Sequence, residues 1–395
     1  MTGIAELTGQ QCPQEMIDLL LEIKKEDPFM RKKKIGVLYG GRSGEHQVSI
    51  SSAASVVKYL NKEKYEVLPV YITLEGKWLY PVLPQQLLEN KVNLEESKEV
   101  TILPDPKKKG LFILADQTEL SLDAVFPVMH GTHGEDGTIQ GLLELASIPY
   151  VGSGVMASAA GMDKGMMKAV FSYYEIPQVK FLVFWRENVR NTEGIKSTIS
   201  KIEAELGYPC FVKPANLGSS VGITKAKNRD QLIVGLNEAA QYDQKLIVEE
   251  FVSAREIEIS VLGNRVPKAS IPGEIVPCNE FYDYKAKYID NKSELIIPAK
   301  LEKEEIQLIT QSAIKAYQAL NCSGLARVDF FLTKDDKRVL INEINTLPGF
   351  TNISMYPKLW EATGIGYTEL LEMLIEFAEE INLEKLQTKI EFTST

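Results

Sequence analysis

The chain is poor in the residues on which most zinc, redox and nucleophile sites rely. It has only four cysteines and three histidines in 395 residues. The cysteines (Cys12, Cys210, Cys278 and Cys322) are scattered and form no C-x-x-C pair, which argues against a zinc ribbon or a redox motif. Cys210 and Cys322 have apolar neighbours and are expected to be buried thiols, in keeping with a reducing compartment. No run of about 20 uncharged apolar residues occurs, and no basic-then-apolar leader opens the sequence. A soluble, cytoplasmic protein without a membrane partner is expected. Positive charge is also in deficit, and the net charge of −10 argues against nucleic acid as the main partner. A local basic pocket remains compatible with that balance.

Several familiar signatures are missing too. No Gly-Lys-Ser/Thr follows the glycine-rich stretch "FVKPANLGSSVGITKA", so it is not a P-loop. No G-x-G-x-x-G follows a strand, which leaves a dinucleotide reading weak. G-x-S-x-G is absent as well, and no cysteine has a reactive context.

What is present is an ordinary globular composition, 44% hydrophobic and 25% charged, in a chain long enough for two or three domains. Met16, Leu19, Leu20 and Ile23 have helical spacing and suggest a docking helix within residues 1–30. From Lys34, "IGVLYGG" reads as a buried parallel strand. A helix bearing Val48, Ile50, Ala54, Val57 and Leu60 and the strand "YEVLPVYIT" then complete a β-α-β unit. Residues 99–119 suggest a hairpin, "DAVFPVMHG" a strand, and the stretch after it a glycine-punctuated helix.

A second unit begins near Ser153, with helices over "DKGMMKAVFSYYEIP" and "KSTISKIEAELGYP", the latter ended by Gly207 and Pro209. "CFVKPANLGSSVGITKA" is expected to be a strand–loop–strand hairpin. The polar segment 273–298 suggests a long working loop. "GLARVDFFLT" and "VLINEINTLPG" read as strands, and a last helix carries Leu370, Leu371, Leu374 and Phe377.

The carboxylates near the C-terminus are the strongest chemical signal. Asp329 lies on one apolar strand, and Glu343 and Asn345 lie two apart on the next, hence on one face. If those strands pair, one surface carries Asp, Glu and Asn oxygens with no histidine. That donor set suits Mg²⁺, which keeps its waters and bridges phosphates. A satisfied polar patch is the alternative, but the apolar neighbours make an uncompensated charge expensive there. Arg327, two residues before Asp329, could stabilise developing oxyanion charge or simply pair with a carboxylate. Lys164, taken alone, reads as a solvated surface group. Lys213 stands out because Val212 and Pro214 flank it in a buried strand, where it could meet phosphate oxygens. In "MHGTHGEDG" the glycines form a loop, so His130 and His133 are no zinc pair. An anion or substrate contact at the helix start is the preferred reading.

Taken in order, "GGRSGEHQVSISSA", "HGTHGEDGTIQGLLELASIPYVGSGVMASAAGMDK", "FVKPANLGSSVGI", "FYDYKAKY", "GLARVDFFL" and "NEINTLPGFTNISMYP" resemble the D-alanine–D-alanine ligases of the ATP-grasp superfamily. The resemblance spans roughly residues 33–382. It implies an α/β and α+β, three-domain ATP-grasp architecture. A Rossmann-like (preATP-grasp) domain would occupy 33–152, a central subdomain 153–251 and a C-terminal subdomain 252–383. An N-terminal extension (1–32) and a tail (384–395) would lie outside it. The implied reaction phosphorylates one D-alanine with ATP and couples the acyl phosphate to the amine of a second, for peptidoglycan synthesis.

The resemblance also implies site residues. Lys164, Lys213, Gly218, Ser219 and Ser220 would hold the ATP phosphates. Glu249 and the backbone near Val252 would face adenine, and Glu256 the ribose. Asp329, Glu343 and Asn345 would bind two Mg²⁺ ions, with Mn²⁺ as a substitute. Arg327 and the Gly349 N–H would form an oxyanion hole. Glu45 would receive the first D-alanine's ammonium with His130 beside it, and Ser354 would take the second D-alanine's carboxylate. Ser219 and Tyr288 would link to Glu45, Lys287 would reach the transferred phosphoryl group, and Tyr282 would line the substrate side. Tyr288 and an apolar Met355 point to D-alanine rather than D-lactate or D-serine as second substrate. A homodimer is expected, and a non-catalytic nucleotide-binding protein of the same fold is the reading from another class.

Overall fold

The computed structural model of the chain describes residues 31–218, 221–276 and 294–389. The expected docking helix in residues 1–30 lies outside the described residues. Three sheets organise the rest.

The first sheet holds β1 (Lys33–Gly40), β2 (Tyr65–Ile72), β3 (Trp78–Tyr80), β4 (Lys98–Ile102), β5 (Gly110–Ile113), β6 (Glu119–Ser121) and β7 (Ala124–Pro127), in the order β6-β5-β4-β3-β2-β1-β7. The last six residues of β1 are buried, as a parallel strand covered on both faces requires. β1 runs parallel to β2 and β7, and α1 (His46–Tyr59) makes the crossover. The Rossmann-like part is therefore three strands wide, because β3 to β6 are added antiparallel. The expected hairpin at 99–119 gains β6 as a third strand. β1 ends at Gly40, where φ is +89° and a Cβ would lie 2.3 Å from the Ile72 carbonyl oxygen. Only glycine fits that exit, and it turns the chain toward the start of α1.

The central sheet has β8 (Phe181–Trp185), β9 (Cys210–Pro214), β10 (Thr224–Ala226) and β11 (Lys245–Glu250) in the order β10-β9-β11-β8. The glycine-rich stretch is a hairpin as expected, with Val212 opposite Thr224 across β9 and β10. The third sheet comprises β12 (Ala254–Leu262), β13 (Lys268–Ala269), β14 (Gly273–Val276), β15 (Glu294–Ile296), β16 (Leu325–Thr333) and β17 (Val339–Asn345). β14 and β15 correct the expectation of a loop throughout 273–298, since its two ends pair as strands.

The remaining helices are α2 (Thr138–Leu145), α3 (Val155–Met162), α4 (Lys164–Tyr173), α5 (Thr192–Glu205), α6 (Arg229–Tyr242), α7 (Lys303–Ala319), α8 (Met355–Thr363) and α9 (Tyr367–Leu386), with short turns at Pro84–Leu88 and Arg186–Arg190. α5 and α6 cover one face of the central sheet through Ile199, Ile202, Leu232 and Leu236. α4 and α7 cover the third sheet, with Phe171 and Tyr317 packed against Val328 and Phe330. Cys210 and Cys322 are buried free thiols, as their neighbours predict. Among the described residues no helix is long and apolar enough to cross a membrane.

α9 joins the two ends of the chain. Its Leu370, Leu371, Leu374 and Ile375 share one core with Ile50, Val56 and Phe126 of the first sheet layer and with Phe350 and Trp360. Thr368 Oγ1 donates to the Tyr59 carbonyl at 2.9 Å, and Lys64 and Asn61 both reach Glu372, at 2.7 and 2.9 Å. This seam fixes the 346–354 loop against the first sheet. Leu374→Ala, at a fully buried position, should lower the urea midpoint by the equivalent of about 2–5 kcal/mol. Chemical denaturation followed by circular dichroism reads this directly, and an unchanged midpoint would show that the seam is not held by α9.

Candidate active site

Two cavities lie between the sheets and share Lys164, Leu217, Gly218, Glu258, Ile275 and Glu343. One opens toward the first sheet and is lined by Glu45, His130, Gly349, Ser354 and Met355. The other lies between the central and third sheets and is lined by Lys213, Glu249, Val252 and Glu256. Among the described residues, Glu45, His130, Ser354 and Met355, expected to bind amino acid, thus line one cavity, and Lys213, Glu249, Val252 and Glu256, expected to bind nucleotide, line the other.

The shared floor is a layer of alternating charge. Arg327 and Asp329 project from β16 toward the cleft while Val328 and Phe330 enter the core, the period-two pattern of a strand. Asp329 faces Glu343 across β16 and β17, and Arg327 faces Asn345. Arg327 donates from Nε and Nη2 to the two Asp329 oxygens at 2.7 and 2.8 Å, and its Nε lies 2.9 Å from Glu258. Burial alone would weaken its proton affinity, but Asp329 and Glu258 raise it well above the ordinary arginine range. The two readings of Arg327 are therefore compatible, because the carboxylate partner holds the guanidinium in the cleft. Asn345 Nδ2 also donates to Asp329, at 3.1 Å. Among the described residues no cluster of three His, Cys, Asp or Glu side chains forms a cage for a metal.

The lysines close the layer from the other side. Asp163 caps α4 by accepting from Met166 N–H at 3.0 Å, and Lys164 opens the helix. Lys164 Nζ donates to the Leu217 carbonyl at 2.9 Å and lies 3.5 Å from Glu343, tying α4 to the glycine-rich loop. Lys213 on β9 is nearly buried and pairs with Glu249 Oε2 at 2.5 Å. One turn beyond Lys164, Lys168 lies 3.1 Å from Glu249 Oε1. Burial pushes Glu249 upward, yet the two lysines hold its pKa down at about 2. Lys213 is raised because Glu249 outweighs its burial, whereas burial prevails at Lys168 and lowers it.

On the amino-acid side, the Glu45 carboxylate sits against backbone. A Cβ on Gly131 or on Gly218 would lie 2.8 Å from its Oε2, so the glycine-rich loop comes within contact of Glu45. His130 is buried, with Nε2 3.0 Å from Ser52 Oγ and Nδ1 3.2 Å from the Leu347 carbonyl and 3.6 Å from Glu135. Ser354 Oγ accepts from Thr351 N–H at 3.0 Å and would lie 2.9 Å from a Cβ on Gly349. Met355 packs on Ile275 and Leu359.

The anion contact expected at the start of α2 needs correction. Asp136 accepts from the His133 and Thr138 N–H groups at 2.9 and 3.0 Å, so a fixed carboxylate already occupies that helix start. From this loop His130 and Glu135 line the cavity that opens toward the first sheet.

Two partners escaped the sequence reading. Lys168 carries the signal of i, i+4 spacing from Lys164, and Glu258 that of two-residue spacing from Glu256 in "EIEIS". Ser219, Ser220, Tyr282, Lys287 and Tyr288 lie outside the described residues.

Comparison with known proteins agrees with this arrangement. The family model described as "D-ala D-ala ligase N-terminus" matches residues 34–153, and "D-ala D-ala ligase C-terminus" matches 170–376. A D-alanine–D-alanine ligase of Natranaerobius thermophilus is 48% identical over 367 residues, covering 93% of this chain and 100% of the relative. The Halothermothrix orenii enzyme of that name is 51% identical over 352 residues, covering 89% and 99%. Among solved structures, the Coxiella burnetii D-alanine–D-alanine ligase superposes with a TM-score of 0.77 at 38% identity, covering 90% of this chain and 96% of that one. The VanG D-Ala:D-Ser ligase of Enterococcus faecalis gives 0.80 at 35%, covering 88% and 100%.

His130 and Glu135 form a buried pair in which each group's proton affinity ends above its ordinary value, although His130 itself lowers that of Glu135. Burial lowers His130, but Glu135 and then Glu45 raise it above its usual 6.5 overall, while burial and Glu45 raise Glu135. The histidine's contribution to stability is therefore complete below pH 6.5 and is lost as pH rises through its folded value. Glu135→Gln should move the His130 ring titration down in an NMR titration of the histidine resonances, because the largest favourable partner of the charged ring is lost while burial still opposes it. An unmoved resonance would separate the two side chains.

Proposed function

Because the chain belongs to the D-alanine–D-alanine ligase family, we propose that it joins two D-alanines to give D-alanyl-D-alanine, converting ATP to ADP and phosphate. The observation that carries this reading is the meeting of two cavities at Lys164, Gly218 and Glu343, beside Arg327. A carboxylate from one side and a terminal phosphate from the other would come together there. A carboxylate is a poor acyl donor, and transfer of the γ-phosphoryl group to one of its oxygens supplies a leaving group. The amine of the second D-alanine then attacks the acyl carbon, phosphate leaves with the C–O bond electrons, and the ammonium proton is released.

The residues divide the work along the sheets, with functional units over 33–152, 153–251 and 252–383. Glu45 would hold the first substrate's ammonium, with His130 alongside. Ser354 and the apolar Met355 would receive the second D-alanine. Lys164, Lys213, Gly218, Ser219 and Ser220 would position the phosphates, with Glu249, Val252 and Glu256 along the nucleoside. Arg327 and the Gly349 N–H would meet the oxyanion as the amine attacks, where a fixed cation in a site closed to water is worth most. Lys287 and Tyr288, with Tyr282, would complete the substrate side.

Asp329, Glu343 and Asn345 fit Mg²⁺, since two carboxylates and an amide oxygen suit an ion that keeps waters and phosphate oxygens as its other ligands. Asp329 Oδ2 accepts from both Arg327 and Asn345, whereas Oδ1 accepts from Arg327 and keeps a second lone pair for that purpose. When bound, two Mg²⁺ ions, or Mn²⁺ in their place, would neutralise charge on the β- and γ-phosphates. A cytoplasmic homodimer acting in peptidoglycan synthesis is the setting this reading implies.

ADP release with Mg²⁺-ATP and D-alanine, D-serine or D-lactate as second substrate tests the proposal. D-Alanyl-D-alanine should dominate at pH 7; dominant D-alanyl-D-lactate or D-alanyl-D-serine would change the second substrate, and absent ADP release would leave a nucleotide-binding protein. Arg327→Ala should keep ATP affinity near wild type and lower kcat by about 10²–10³-fold. Unchanged turnover in that variant would remove Arg327 from the oxyanion site.

A further inference from the structure

Lys168 has no part in the reading so far, and it is the most deeply buried cation described in the chain, with no exposed surface. It projects from α4 behind Glu249, its Nζ 3.1 Å from Oε1 and 5.8 Å from the centre of the Phe181 ring. Lys213 holds the other oxygen of the same carboxylate at 2.5 Å. The two lysines differ in what else they can reach. Lys213 lines the cavity between the central and third sheets at the base of the glycine-rich hairpin. Lys168 lines neither cavity and is enclosed by the packing of α4 against the central and third sheets.

Removing the only cation from a buried carboxylate is strongly destabilising, because an uncompensated charge remains in a medium that solvates it poorly. A single lysine facing Glu249 would be held there and could not turn to another anion. Two lysines on one carboxylate leave the group with a surplus positive charge. The enclosed lysine can then neutralise Glu249 alone while the cavity lysine moves. We propose that Lys168 is a positioning residue, the fixed counter-ion of Glu249 that leaves Lys213 free to turn toward the phosphates of a bound nucleotide. The inference rests on the nucleotide reading of that cavity. It also explains why the polar end of a long side chain is enclosed where an apolar residue would pack more simply.

The test is a double-mutant cycle on ligand affinity, measured by isothermal titration with ATP and with adenosine, which lacks phosphate. Lys168→Met should weaken ATP by about tenfold or more, because Lys213 must then stay with Glu249, and should change adenosine less than about twofold. In a Glu249→Gln background no charge remains to neutralise, so Lys168→Met should alter ATP affinity by less than about threefold. Wild-type ATP affinity in Lys168→Met, an equal loss for adenosine, or a loss of the same size in both backgrounds overturns the inference alone. A wild-type protein that binds no ATP overturns the nucleotide reading and the inference with it. If Lys168→Met does not fold, Glu249→Gln and the double variant carry the test: ATP affinities within about threefold support the proposal, and a gap of about tenfold overturns it.

Discussion

The site depends on neutralising buried and half-buried carboxylates with fixed cations. Glu249, Glu258, Asp329 and Glu343 converge where the three sheets meet, and Lys164, Lys168, Lys213 and Arg327 face them. Each acid has a fixed cation within ion-pair distance, so the layer is balanced at the level of single contacts. A balanced layer can be buried, and a buried layer gives electrostatic interactions the strength that water would remove. It also makes each side chain hard to replace, since loss of one partner leaves the other charged and enclosed.

The fold supplies that layer from elements distant in sequence. β16 and β17 bring Arg327, Asp329, Glu343 and Asn345 to one face, and α4 lays Lys164 and Lys168 across it. β9 and β11 add Lys213 and Glu249 from a second sheet. The first sheet contributes by contact along α9, and the Ser52–His130–Leu347 contacts then hold the 346–354 loop beside Glu45. The residues proposed for phosphate and for amino-acid binding thus line two cavities that meet at Lys164, Gly218 and Glu343.

Much of this was legible in the sequence because strands report their faces by alternation. Asp329, Glu343 and Asn345 could be placed together once the two strands were assumed to pair, and the β9–β10 hairpin followed from its turn residues. Lys168 was not legible, because its partner is 81 positions away in sequence and its only local mark is one helical turn from Lys164. Asp136 escaped for a different reason: a carboxylate and an external anion satisfy the same helix-start N–H groups, and the sequence cannot say which is there. The strands at the ends of 273–298 were hidden because they are short and enclose a segment of polar composition.

The central claim is that the two cavities meet so that a carboxylate oxygen attacks a terminal phosphate. The most direct measurement is the fate of isotope in D-alanine labelled with ¹⁸O in its carboxylate and turned over with Mg²⁺-ATP. Mass spectrometry of the inorganic phosphate should find one ¹⁸O transferred from the carboxylate for each dipeptide formed. Phosphate free of ¹⁸O, with the label retained in the dipeptide or lost to water, would contradict the account.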